Sequence, residues 1–367
     1  MQYRGDPCIN IFKKVGIKPG YSASMTHRSP HIVFGLLAVG ILLLFAVNLL
    51  WGTVAIPLHE VAGILFQPYC GTTSIHRDII LFSRLPQALT AVVAGAGLAV
   101  AGLQMQTVFH NPLAGPSVLG ITSGASLGVA LVVLLASELG NEALSSMGLL
   151  GNVALSTAAI IGAMATLLLM ALLARHVEGS VTLLIIGVML GYVANAAIGV
   201  LKFFANDDDV REYVVWGLGS FSRVSGNEVT LFVVLMAVLL PTTLFLVKPM
   251  DLLLLGDSYA RNLGLNIRKA RAIVILCSGT IVAIVTAYCG PIMFIGLAVP
   301  HLCRGLLQIG SHRVLVPACI LVGALLALFC NLVARMPGYE GVLPVNSVTA
   351  LVGAPVVVSV LLKRKKR

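Results

Sequence analysis

Charge is scarce in this chain. Only 10% of its 367 residues are Asp, Glu, Lys or Arg, against about 25% in an ordinary soluble chain. Aromatic residues are few as well, at 6%, with two tryptophans. What replaces them is aliphatic: 58% of the residues are hydrophobic and the mean hydropathy is +0.99. That balance excludes a water-soluble globule. It also excludes a β-barrel, whose strands would show short alternating segments and not long apolar blocks. The class left is an all-α polytopic membrane protein.

Missing motifs narrow the function. No Asp or Glu falls clearly inside an apolar block, so the intramembrane carboxylates of a proton-coupled carrier are lacking. Gly115 and Gly120 have the spacing of a phosphate loop, but Ile121 stands where the phosphate-binding lysine belongs. Seven cysteines include no C-x-x-C pair. Five of them (Cys277, Cys289, Cys303, Cys319, Cys330) lie in apolar runs, where Cys acts as a small hydrophobe, so no disulfide framework is expected. Eight scattered histidines form no i, i+4 pair beside an acid, and no metal site is expected. No nucleophile, base and orienting group cluster either. The chain reads as a transport component and not an enzyme, with any energy drawn from a partner.

Spanning a bilayer takes about 20 apolar residues. Ten blocks qualify or come close: 31–51, 86–109, 117–136, 149–173, 181–204, 229–247, 270–288, 291–308, 313–334 and 346–362. An even count puts both termini on one side. With the N-terminus inside, 18 of the 24 Lys and Arg fall on cytoplasmic segments and 10 of the 14 Asp and Glu fall outside. This is the positive-inside bias. The net charge of +10 therefore records topology, and no nucleic-acid partner is expected. Residues 1–30 form a cytoplasmic N-terminal segment, 31–362 one transmembrane domain and 363–367 a basic tail suited to anionic lipid. The first block is long enough to span and no A-x-A site follows it, so it is expected to be retained as a helix; Met25 is an alternative start.

Two stretches are not explained by hydropathy alone. "HNPLAGPSVLGITSGASLG", residues 110–128, breaks an apolar run with two X-Pro pairs and continues with Gly120, Gly124 and Gly128. The prolines end one helix and set the start of the next. The glycines are expected on one helix face, allowing close approach of a neighbour. Gly187 and Gly191 repeat the spacing. The second stretch lies in 248–270, the longest internal cytoplasmic segment. Its "MDLLLLGDSYARNLGL" fits two short helices lying across the membrane face, with a break at Gly256–Asp257.

These stretches resemble a known family. The segment 248–270 looks like the coupling segment of permease subunits of bacterial ABC importers for iron complexes and cobalamin. "SRLPQALTAVVAGAGLAVAGLQMQTVFHNPLAGPSVLGITSGASLG" resembles the family's second and third helices with their loop. "LLIIGVMLG", "GPIMFIGLAVPHLCRGLLQIGSHRVLVPACILVGA" and "LPVNSVTALVGAPVVVSVLLKR" resemble its fifth, eighth to ninth and tenth helices. The matches run in order through nearly all of residues 80–365.

The resemblance implies a homodimer of ten-helix subunits in the cytoplasmic (inner) membrane. Two ATP-binding-cassette ATPase subunits would sit below and a periplasmic substrate-binding protein above. ATP-Mg would be bound by the ATPase, and this chain would need no cofactor. Met250, Leu255, Gly256, Asp257, Ala260, Arg261 and Gly264 match the ATPase-coupling positions. Asn111 and Leu113 match one side of the cytoplasmic gate, and Gly179 and Ser180 the other. Arg84 and Arg335 match arginines that meet the binding protein, with Gln87 in place of a third. The cargo expected is an iron complex, siderophore or haem, with cobalamin as the alternative. A secondary transporter or channel is the reading from a different class.

Overall fold

The computed structural model describes residues 30–52, 54, 56–66, 74–136, 149–177, 179–224, 226–335 and 342–365. Most of the N-terminal segment, Cys70 and the last two tail residues therefore lie outside the described residues. In chain order the helices are α1 (Pro30–Leu50), α2 (Leu58–Phe66) and α3 (Ser74–Asp78). A π-helical stretch (Ile79–Arg84) then leads into α4 (Leu85–Val108). A 3-10 turn (Pro116–Leu119) precedes α5 (Ile121–Ala136), followed by α6 (Leu149–His176), α7 (Ser180–Phe204) and α8 (Asp207–Gly217). The remainder are α9 (Asn227–Phe245), α10 (Val247–Leu254), α11 (Asp257–Asn262), α12 (Ile267–Cys289), α13 (Ile295–Leu307), α14 (His312–Ala334) and α15 (Val345–Lys365).

Seven of these stretches are long and apolar enough to cross a membrane, and α5, α13 and α15 are shorter apolar helices. Each of the ten expected blocks thus carries one apolar helix. Two start later than hydropathy suggests. Gly120 takes a left-handed conformation (φ 73°) between the 3-10 turn and α5, so the helix begins at Ile121 and not at 117. The eighth block turns through Gly290 (φ 74°) and Phe294 (φ 67°) before α13 starts at Ile295. Sequence reading also missed α8. Its opening Asp207, Asp208 and Asp209 look like a loop, but acids suit the first turn of a helix, where the dipole is positive. Tyr213 and Trp216, three apart, supply its buried face.

α4 is the axis of the body. It packs against α9, α12, α13 and α14. In its best spanning window 83% of residues are buried, against 11% for α1. The cause is its Ala- and Gly-rich sequence. With no hydrophobic drive between helices in lipid, association depends on close packing, and small residues permit it. A Cβ on Gly95 would overlap the Gly323 carbonyl of α14, and one on Gly323 would overlap that of Gly95. Gly102 lies as closely over the Gly296 carbonyl of α13. Pro300 has no N–H to offer that carbonyl.

The expected glycine stripe splits into two contacts. Gly124 and Gly128 press α5 onto Gly162 and Ala158 of α6. Gly120, outside the helix, faces Gly187 of α7, and Gly187 in turn meets the 3-10 turn at Val118 and Leu119. Gly191 sits beside Ser123.

Candidate functional site

At the predicted cytoplasmic end, α10 and α11 form a bent pair. Gly256 joins them at φ 90°, and no heavy atom lies within 4 Å of the place of its Cβ, so conformation and not space requires glycine. α11 closes with bonds from Gly264 N–H to Arg261 C=O (2.9 Å) and from Leu265 N–H to Ala260 C=O (3.0 Å). That is a Schellman motif, with Gly264 left-handed at φ 85°. The pair has two faces. Met250, Leu253 and Ala260 are fully buried and hold it to the body. Leu255, Tyr259 and Leu263 are 56%, 70% and 60% exposed and make an apolar row at four-residue spacing. Met250 and Ala260, read from the sequence as partner contacts, are therefore anchors. Tyr259 and Leu263, not singled out from the sequence, stand exposed beside them. Arg261 and Gly264 are exposed. Asp257 receives two bonds from Arg271 of α12, at 2.8 and 2.9 Å.

The loop after α4 is held from three sides. Asn111 accepts the N–H of Leu113 on its Oδ1 (2.9 Å), which makes a local turn. Leu113 stands 44% exposed at the tip. His110, at φ 50°, donates from Nε2 to the Leu253 carbonyl of α10 (2.7 Å). His301 of α13 donates from Nε2 to the Pro112 carbonyl (2.8 Å). Gln106, at the foot of α4, bonds the Leu297 carbonyl (3.2 Å) and accepts from Arg304 (2.6 Å).

Opposite, Gly179 (φ 104°) precedes α7, which Ser180 begins. Gly179 shares a small recess with Val108, Leu183, Arg268 and Arg271. Val108, from the foot of α4, and Gly179 line this recess together, while Asn111 and Leu113 are not among its lining residues. His110, His301 and Gln106 were not singled out from the sequence, and only the X-Pro pairs hinted at a braced loop.

At the opposite end the two arginines differ. Arg84 is 1% exposed. Its guanidinium donates to the carbonyls of Leu49 and Leu50 (2.8 Å each) and to that of Val54. These belong to the end of α1 and the turn after it, where helical carbonyls have no internal partner. Arg84 is therefore a clasp on α1, and the expectation that it presents a surface cation fails in this structure. Arg335 is half-buried and reaches the Asn48 carbonyl at 3.5 Å. Burial, with the charge of Arg84 beside it, lowers its pKa to about 10. Both line one recess with Ser83, Gln87, Ser222 and Val342. Gln87 is buried at 3% exposure.

A close-packed all-helical body whose described residues include seven stretches long and apolar enough to cross a membrane is a polytopic membrane protein. Residues 40–363 match the FecCD transport family, and the chain belongs to that family. It is 38% identical over 287 residues to the Vitamin B12 import system permease protein BtuC of Escherichia coli O9:H4 (strain HS), covering 77% of this chain and 83% of that one. Identity to BtuC of Citrobacter koseri is 37% over 287 residues, covering 77% and 82%. A solved structure of an ABC transporter in an inward-facing conformation aligns with TM-score 0.78 at 29% identity, over 91% of this chain and 99% of that one.

Proposed function

We propose that this chain is the transmembrane subunit of an importer that carries a bulky metal chelate, an iron–siderophore or haem, from periplasm to cytoplasm. It works as a homodimer of ten-span subunits in the inner membrane, with both termini cytoplasmic. Two ATPase subunits, which bind ATP-Mg, drive it through α10 and α11, and a periplasmic binding protein delivers the cargo at the Arg335 end. The observation that carries the reading is the exposed Leu255, Tyr259 and Leu263 row on a pair whose other face is anchored in the body. An uncovered apolar row of this kind marks a docking surface.

Cobalamin is the second reading. It is favoured by the 38% identity to permeases named for vitamin B12 import. The test is uptake into proteoliposomes holding the permease, its ATPase and its binding protein. Iron-55 siderophore, iron-55 haem and cobalt-57 cobalamin are supplied in turn, with and without ATP. Uptake of an iron complex alone supports the first reading and uptake of cobalamin alone the second. Uptake that ignores ATP overturns both and leaves a channel.

A further inference from the structure

A buried polar chain runs from α10 to α4. Asp251 of α10 accepts two bonds on Oδ1 from His312, one from the ring Nδ1 (2.7 Å) and one from the backbone N–H (2.8 Å). His312 opens α14, so the carboxylate also caps that helix, in the sense favoured by its dipole. The other ring nitrogen, Nε2, meets Thr107 Oγ1 at 2.8 Å. Thr107 is the last residue but one of α4 and also lies 2.9 Å from the Leu103 carbonyl. His312 is fully buried and Thr107 is 1% exposed.

The proton count is consistent in two ways. With the Thr107 proton on the Leu103 carbonyl, His312 donates from both nitrogens and pairs with Asp251 as an imidazolium. With the Thr107 proton on Nε2, the ring is neutral and donates only to Asp251. Both arrangements keep the chain unbroken.

A second connection leaves the same helix two residues on, from the Leu253 carbonyl to His110. His110 holds a left-handed conformation that costs a non-glycine residue free energy and persists only where its surroundings hold it. Mere packing of α10 against α4 and α14 would need no buried imidazole, since burying such a group is costly unless every partner is supplied.

We infer that the Asp251–His312–Thr107 chain and the His110–Leu253 bond are tethers through which α10 positions the Asn111–Leu113 loop. Asp251, His312, Thr107 and His110 are positioning residues. The pair has a counterpart on its other limb, because Asp257 of α11 grips Arg271, which lines the recess holding Gly179. α10 is thus bonded directly to the foot of α4 and the loop after it, while α11 is bonded to a residue that shares a recess with Gly179. This rests on the reading that α10 and α11 dock the ATPase.

The experiment uses the assembled permease–ATPase complex with Leu113→Cys, read as the rate of labelling by a bulky maleimide with and without ATP. Labelling of the same complex lacking that substitution is subtracted. Thr107→Val removes only the hydroxyl. His110→Asn tolerates the left-handed backbone but is too short to reach the Leu253 carbonyl. Thr107→Ser keeps the hydroxyl.

The parent should show an ATP-dependent change of about fivefold or more, the low end of ordinary coupling between sites. The Thr107→Val, His110→Asn double variant should retain the ATPase on size exclusion yet show no change with ATP, while Thr107→Ser keeps the parental ratio. A double variant with the parental ratio overturns the inference. So does loss of the ratio in Thr107→Ser, which would make the side chain a packing element. If the double variant does not assemble, the same two outcomes are read from Thr107→Val alone. A parent that does not retain the ATPase overturns the docking reading itself, a result distinct from a retained ATPase with an unresponsive loop.

Discussion

Arg84 offers the clearest separation between holding the fold and meeting a partner. Replacing it by Met keeps an unbranched stem of similar length and removes the guanidinium. Three carbonyl acceptors at the end of α1 then lose their donor. A hydrogen bond to a charged group contributes about 1.5–3 kcal/mol net. Bonds sharing one donor group do not add, and the Leu50 and Val54 bonds are only part-buried, so water recovers some of the loss. Removing the like charge beside Arg335 offsets a little more. The expected cost of Arg84→Met is about 2–4 kcal/mol. Arg335→Gln gives up one long bond to Asn48 and should cost under about 1 kcal/mol. The assay is thermal unfolding in detergent, followed by the surviving monodisperse fraction, with binding-protein affinity measured on the folded material. Arg84→Met should lower the unfolding midpoint, and Arg335→Gln should lower the affinity, more at low salt than at high. The reasoning is refuted if Arg84→Met unfolds like wild type while losing the binding protein.

Four further outcomes follow from the geometry. Gly256→Trp forces a side chain onto a backbone at φ 90° and into open space on the docking face, so the ATPase should be lost on copurification or its hydrolysis uncoupled from uptake; normal uptake would remove the joint from the coupling surface. Tyr259→Ala, which deletes the most exposed member of the row, should weaken ATPase retention at least tenfold without moving the permease's unfolding midpoint, in keeping with about 2 kcal/mol for an aromatic anchor. Gly128→Leu overlaps the Ala158 carbonyl and should destabilise by about 1–3 kcal/mol, read as a fall in the unfolding midpoint. Arg335, although burial and the charge of Arg84 lower its pKa, stays charged through neutral pH; its share of binding-protein affinity should be level across neutral pH, which affinity measured against pH would check, and a fall on crossing neutrality would assign that share to another group.

The apolar blocks and the small-residue spacing were legible, because both are periodic properties of one chain segment. Which glycine meets which was not. Gly95 and Gly323 carry no mark of each other, and their crossing exists only once two helices are laid together. Arg84 was misread for a related reason. A cation at the end of an apolar block reads as a surface group, while its acceptors are backbone carbonyls that every residue possesses. Of Leu255, Tyr259 and Leu263 only Leu255 was singled out from the sequence, because Gly256 interrupts the segment and hides the four-residue period. His312, Asp251 and His110 each stand at a block end, where a lone polar residue is ordinary. They become a chain only when three helices converge.

The packing of α4 bears on how any displacement at α10 would travel. Contacts made through long side chains can absorb motion by changing rotamer. Contacts made backbone to backbone, as at Gly95 with Gly323 and Gly102 with Gly296, have no side chain to give way. Closely packed elements of that kind shift between discrete arrangements and do not deform continuously. α4, α13 and α14 are joined by such crossings and should move together. A pull on Asp251 through His312 would then reach the foot of α4 with little loss, and the Asn111–Leu113 loop that follows α4 would move with it.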